Sequence, residues 1–548
     1  MALTNSPTER QPLLSQSSTP TTTYDNVATP SSSSTEINFS TSQVEGPSQS
    51  GGFKSELKLF KALLVDSIPG KSRLLFFIDL EFDFYAPVIL SYILQNSIQT
   101  ISVVVVGRLG PDELSVAAFS LMLAFDICTG WVVALGGTTA LDTLGSQAFT
   151  GSPRPTDLSI HFQRCLILLW FLLVPVCFLW AYIEPVLLAL GQSEDLSRGV
   201  QTFLRILIYG APGYIGFESL KKYLQCQGIM GASTVVLIII CPINLGLNIA
   251  LVHYTKLKLL GSPVALSIVY WLAFFFLAAY TCFSPTHRRN GTWGGLRLAD
   301  VFHFKSCIAF LRLALPGILM VGTEWAAFEI VALAAGRLGA LPLAAQSVIM
   351  TFDQILNTLP FGIGVAASNR VGNLIGSRSA VGAKHAAHTA ALLSVVVGVV
   401  VMITLIACRD VCGYVMSDDA EVVKLVSVVM PLVASFQISD GLAGSCGGSL
   451  RGLGRQHLGA IFNFVAYYVI ALPLGIGLAF RRGMGLQGLW IGQVVGLTVV
   501  GLSEYAVVWL GTNWEMEVEK GVQRNAEEAK RLRAGERSPA YADIDTEN

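Results

Sequence analysis

Stretches of about 20 mostly apolar residues, the length that crosses a bilayer as a helix, recur through most of the chain between short polar loops. The pattern predicts about twelve spans, near 86–109, 114–138, 162–182, 199–219, 231–254 and 263–283, then 313–336, 344–366, 386–408, 424–447, 457–480 and 486–510. The expected fold class is an all-α membrane protein. The predicted parts are a disordered tail over 1–80, a six-helix bundle over 81–283, a linker over 284–306, a second six-helix bundle over 307–510 and a polar tail over 511–548.

The two bundles repeat one another. Pro87 and Gly107 recur as Pro316 and Gly336, and GRLG at 107–110 returns at 336–339. Phe125-Asp126 returns as Phe352-Asp353, Gly137 and Gly145 as Gly364 and Gly372, and Leu224 and Gly228 as Leu450 and Gly454. An even number of spans per repeat gives both halves the same orientation, related by an axis along the membrane normal.

Composition agrees with burial in lipid. Of 548 residues, 52% are hydrophobic and 13% charged, about half the charge of a soluble domain. Net charge is −1, which offers nucleic acid no basic surface. The ten cysteines show no CxxC pair, so neither a disulfide framework nor a zinc site is expected. Residues 1–50 are polar and lack the apolar core of a cleavable signal.

Basic residues set the orientation. Lys54, Lys58, Lys61, Lys71 and Arg73 precede the first span, and Lys520, Arg524, Lys530, Arg531, Arg533 and Arg537 follow the last. The longest interior loop holds Arg288, Arg289, Arg297 and Lys305. Both tails are therefore expected in the cytosol, and the sequons at Asn38 and Asn290 are expected to stay unglycosylated.

Three carboxylates break the apolar pattern: Glu324 and Glu329 in one span and Asp440 in another. A charge at a helix centre costs about 2.5–3.5 kcal/mol even on lenient insertion scales, so such groups commonly serve transport.

The motifs ALDTLGSQAFTG (140–151), YLQCQG (223–228), GVAASNRVGNLIG (364–376) and GGSLRGLGRQHLGAIFN (447–463) resemble those of the multidrug and toxic compound extrusion (MATE) family, particularly its fungal branch. The resemblance covers roughly residues 80–510. It implies two pseudo-symmetric six-helix bundles around a pocket that opens alternately to either side. It also implies export of organic, often cationic, compounds against protons or sodium, without a further cofactor.

TEWAAFE at 323–329 resembles the pair of glutamates in the seventh span of eukaryotic members, matching Glu324 and Glu329. Asp440 falls where those relatives carry a tenth-span carboxylate. An eighth-span glutamate of some animal members falls at Thr351 here, with Asp353 two residues on. The first-span aspartate of many bacterial members has no counterpart in YILQNSIQT (92–100). Ion coupling is therefore expected in the second half.

Glu324 lies twelve residues from both Arg312 and Gly336, about 18 Å along a helix from either. Two acids at such depth can share a proton as a coupled pair, releasing an organic cation when protonated and rebinding one when ionised. Hydrogen bonds that merely join helices are the alternative. Glu329 lies about 140° round the helix from Glu324, and Asp353 matches Asp126 in the other repeat. Trp325, Asn463, Tyr467, Trp490 and Gln493 are candidate pocket residues, since ring faces beside carboxylates suit organic cations. Asp142 and Arg370 read as caps or loop anchors near span ends. Pro316 with Gly317 and Gly322, Pro360 with Gly362 and Gly364, and Pro473 with Gly475 and Gly477 are kink candidates.

Glu9, Leu13 and Leu14 lie in ERQPLL, which resembles an acidic dileucine sorting signal. It suggests the vacuolar membrane ahead of the plasma membrane, and an adaptor as partner for the first tail. The chain is expected to act as a monomer. No HExxH, GxGD or suitably placed GxSxG motif suggests an enzyme, and no GxxxxGK[ST] motif suggests an ATP site. A flippase for lipids or lipid-linked precursors is the competing class; such proteins often present cationic cavities.

Overall fold

The computed structural model describes residues 71–125, 130–415 and 419–536. Glu9, Leu13, Leu14, Asn38 and Asp126 lie outside the described residues. From Ser72 onward the chain forms one compact unit. Its first repeat contains α1 (Lys71–Gly107), α2 (Pro111–Phe125), α3 (Gly130–Gly151), α4 (Asp157–Ala181), α5 (Glu184–Ala189), α6 (Glu194–Leu207), α7 (Ala211–Cys226), α8 (Ala232–His253) and α9 (Gly261–Phe283). Two short helices, α10 (Pro285–Asn290) and α11 (Leu298–Val301), make the connection. The second repeat contains α12 (Phe304–Leu338), α13 (Ala340–Gly376), α14 (Ala380–Cys412), α15 (Ala420–Leu453), α16 (Gln456–Phe464), α17 (Leu472–Ile476) and α18 (Gly485–Trp509), and α19 (Trp514–Glu536) follows. The described residues contain no strand.

Among the described residues, ten helical segments are long and apolar enough to cross a membrane. The two other predicted spans, 114–138 and 199–219, are each built from two successive helices, α2 with α3 and α6 with α7. Sequence periodicity counts apolar length and does not register such interruptions. The segment from Gln456 to Arg481 bends through π-helical turns at Val465–Ala471 and Gly477–Arg481, on either side of Pro473. A proline there removes a helical donor and crowds the preceding turn, which a wider turn relieves. Phe171, Phe178, Val400 and Ile403 are more than half exposed on the outer helices, an apolar surface that a bilayer covers. The protein is a multi-pass integral membrane protein.

One boundary differs from expectation, and one tail is more ordered than its composition suggests. α1 begins at Lys71, inside the predicted tail of 1–80, because residues 74–82 are rich in Leu, Phe and Ile and extend the first helix. The stretch 511–548 contains α19, docked through Trp514, Ala529 and Leu532, which are all buried. Its polar composition hid a narrow apolar face.

Each repeat has its own core. Trp131, Trp180, Tyr214 and Tyr270 cluster in the first, and Phe328, Phe436, Tyr467 and Trp490 in the second, mostly in tilted or edge-on contact. The first turns of α12 contribute Phe310 and Ala314 to the first core, so the second repeat enters by packing on the first lobe. Gly136 and Gly317 allow α3 and α12 to cross in direct contact, since a Cβ on either would strike the other backbone.

The lobes are joined at the end where α3, α7, α13 and α15 terminate. Ser146 donates to Asn369 at 3.0 Å, Thr150 to the Asn373 carbonyl at 2.7 Å, Gln147 to the Gly452 carbonyl at 2.9 Å and Gln456 to Thr143 at 3.0 Å. All four quoted motifs contribute side chains or backbone to this closed end, with Cys226 beside Asn369 at 3.5 Å. α19 runs across the same end. Its Asn525 donates to the Gln147 carbonyl of one lobe and Arg524 to the Leu453 carbonyl of the other. Asn290 donates to Gln227, and the hydroxyl of Thr292 is buried between Tyr223 and Gln227. The Asn290 sequon is thus engaged inside the fold.

Candidate functional site

Four helices of the second lobe bring the candidate acids together. Glu324 comes from α12, near the middle of its 35 residues. Asn357 comes from α13, Asp440 from α15 and Asn463 from α16. All four line an internal cavity of about 50 Å³, with Met320, Trp325, Phe361, Arg451 and Glu504. A space of that size holds a few waters, each needing about 10–15 Å³; an organic substrate does not fit it.

The acids sit in an ordered ladder between α13 and α15. Asn357 Nδ2 donates to Asp440 Oδ2 at 3.0 Å and Oδ1 at 3.3 Å. One turn away, Gln437 Nε2 donates to Asp353 Oδ1 at 3.0 Å. The spacing explains the pairing: 353 and 357 share one face of α13, and 437 and 440 share the facing stripe of α15. Asp440 and Asp353 are both buried, while Glu324 keeps partial exposure. Asp353 does not line the cavity, and neither does Glu329.

The candidate pocket residues divide. Trp325 and Asn463 line the cavity, and Asn463 Nδ2 donates to the Met320 carbonyl at 2.8 Å. Tyr467, Trp490 and Gln493 are buried off the cavity. Trp490 Nε1 donates to Gln346 at 2.8 Å, and its ring packs edge-on against Phe436. Tyr467 packs against Phe328.

Several charged residues escaped the sequence reading. Glu504 of α18 lies in the predicted span 486–510 and is fully buried; its place five residues before Trp509 resembles a span end. In the first lobe, Glu218 and Lys221 pair at 2.8 Å, and Gln95 bridges both at 2.8 Å. Lys221 also stands 4.2 Å from the Tyr92 ring centroid. Lys222 holds Asp142 at 2.8 and 3.0 Å, and Arg451 reaches Asp142 from the other lobe at 3.8 Å. Asp142 is thus a buried interlobe partner rather than a cap. The signal available in sequence was two lysines and a glutamate within five residues of an apolar span.

A family model described as MatE matches residues 87–250 and again 316–476. The chain belongs to the MatE family. The two matches begin at Pro87 and Pro316, the first pair of the internal repeat, so each lobe of this MatE protein is one family unit. An uncharacterized transporter of Schizosaccharomyces pombe is 37% identical over 442 residues, covering 80% of this chain and 79% of that protein. Multidrug and toxin extrusion protein 2 of Mus musculus is 35% identical over 438 residues, covering 80% and 75%. Among solved structures, the eukaryotic MATE transporter AtDTX14 superposes with a TM-score of 0.75 at 30% identity, covering 81% of this chain and 98% of that one. These agree with the all-α two-lobe fold and with a fungal relationship of the MatE chain.

Proposed function

We propose that this MatE protein exports or sequesters organic, cationic compounds in exchange for protons, with Glu324 and Asp440 carrying the coupling charge. The observation behind this reading is the small acidic cavity in the second lobe. It brings carboxylates from α12 and α15 together with two amide side chains, in a space suited to water and protons. Substrate would bind outside this small cavity and sense it through Trp325. Asp440 keeps its place through Asn357, and Glu324, which is partly exposed and has the Tyr467 hydroxyl rather than an amide beside it, is the group that exchanges a proton with water. Protonation removes the negative charge that retains the cation, and proton loss restores it.

With both tails in the cytosol, the closed end faces the cytosol, and this state would release cargo to the far side. The dileucine-like segment at Glu9, Leu13 and Leu14 favours the vacuolar membrane and an adaptor partner. The flippase reading gains nothing from the cations of the first lobe: Lys221 and Lys222 are each neutralised by Glu218 and Asp142.

The test is ethidium transport by the full chain in liposomes under an imposed pH gradient. Wild type should accumulate ethidium only with the gradient, and Glu324→Gln should not. Equal transport without the gradient, or full transport by Glu324→Gln, would overturn the reading. Dependence on a sodium gradient instead would move the coupling ion.

A further inference from the structure

Glu504 is the one cavity carboxylate outside the three acids that stand out in the sequence. It is exposed to neither water nor lipid: its relative exposure is 0%. Neither oxygen has a side-chain donor, and only the Gly447 backbone approaches as a donor, yet the side chain lines the cavity with Glu324 and Asp440. Space for it is built in. A Cβ at Gly447 of α15 would lie 3.2 Å from one oxygen, and a Cβ at Gly459 of α16 would lie 3.1 Å from the other. Two helices therefore present bare backbone to this carboxylate.

A buried carboxylate with no side-chain donor is costly as an anion unless a proton or a cation answers it. The charged and titratable groups around Glu504 are Glu324 from α12, Arg451, Asp440 and Cys446 from α15, and Tyr467 from the π-helical turn after α16. The cation among them is Arg451. Its Nε stands 3.8 Å from Asp142, beyond hydrogen-bond reach, so the guanidinium is not consumed by that pair. It lies between the interlobe seal and the cavity.

We infer that Glu504 is a third proton-carrying carboxylate of this cavity, with Arg451 as the cation that balances it when ionised. Proton arrival forms one O–H bond on a carboxylate oxygen; departure to cavity water breaks that bond and leaves the carboxylate facing Arg451. No other bond changes. Each such exchange alters the charge beside Arg451, and so the strength of its hold on Asp142 across the lobes. The inference rests on the proton-antiport reading for its place in the cycle.

The experiment is infrared difference spectroscopy of the carboxyl C=O stretch on the full chain in liposomes, as pH is stepped through the neutral range. Ethidium transport and proton movement are followed on the same vesicles. Wild type should show a titrating carboxyl band that Glu504→Gln lacks and Glu504→Asp shifts. Glu504→Gln should also lower the protons moved per ethidium. An unchanged band set in Glu504→Gln, or an unshifted one in Glu504→Asp should the glutamine variant fail to fold, would overturn the inference. Absence of any gradient dependence in wild type would instead sink the antiport reading, whatever the band does.

Discussion

Asp142 of the first lobe and Arg451 of the second face each other across the lobe boundary at 3.8 Å, while Lys222 holds the same carboxylate at 2.8 Å. The two cations differ in consequence. Asp142→Asn strands Lys222 as an uncompensated buried charge, a loss of about 3–5 kcal/mol that a thermal melt in detergent should detect. Arg451→Gln keeps the Asp142–Lys222 pair, weakens the seal and also removes the cation beside Glu504. Alkylation of Cys226, buried beside Asn369 at that seal and mapped by mass spectrometry, should therefore be faster in Arg451→Gln than in wild type. Equal rates would show that Arg451 does not hold the lobes together.

The amide ladder separates Asp440 from Asp353. Asp440 lines the cavity and Asp353 does not, so Asp440→Asn should lose gradient-driven ethidium transport while Asp353→Asn keeps most of it. Asn357→Ala removes the donor to Asp440, leaving a buried acceptor short of a partner at about 1–3 kcal/mol. It should displace the pH profile of transport without abolishing activity. Initial rates in liposomes over a range of pH decide this, and a profile identical to wild type would remove Asn357 from the site.

Trp325 and Trp490 should answer to different assays. Trp490 is fully buried and hydrogen-bonded to Gln346, so Trp490→Ala should lower stability by about 3–5 kcal/mol. Trp325 borders the cavity, so Trp325→Ala should raise the ethidium concentration needed for half-maximal transport with a smaller change in melting temperature. The reverse pattern would exchange their roles.

The docking of α19 should depend on pH through Glu528. Its carboxylate meets Arg164 and Ser306, each at 2.8 Å. Burial alone would push this carboxyl up, but His161 and Arg164 beside it, with the hydrogen bonds from Ser306 and Arg164, together outweigh burial and hold it below the usual glutamate range. A depressed carboxylate contributes its full stabilisation above the unfolded value of about 4.3 and loses it as pH falls through the folded value. Hydrogen exchange along α19 should stay slow at neutral pH and accelerate only in acid, whereas Glu528→Gln should exchange faster already at neutral pH. Protection in the variant matching wild type would show that other contacts carry the docking.

The acids show where reading residues in order reaches and where it stops. Glu324 and Asp440 stand out because each interrupts an otherwise apolar helix, a cost visible in one dimension. Glu504 carries the same cost, but its position near the end of its span resembles an interfacial charge. Only the approach of Gly447 and Gly459 shows it to be enclosed. Trp490 and Trp325 look equivalent as neighbours of polar residues in spans, and only packing assigns one to a core and the other to a cavity wall.

The sequence by itself determined the membrane-spanning helical class, the duplication from Pro87 to Pro316 and the second-lobe location of two acids, because apolar length, repeat spacing and the rarity of charge in lipid are properties of single segments. The tertiary structure decided the rest. It turned the motifs around Asp142, Cys226, Asn369 and Arg451 into an interlobe seal, placed Asp353 one turn off the cavity and drew Glu504 into it. Those outcomes depend on which faces of separate helices meet, and that is fixed by side-chain packing and close backbone approach between residues hundreds of positions apart.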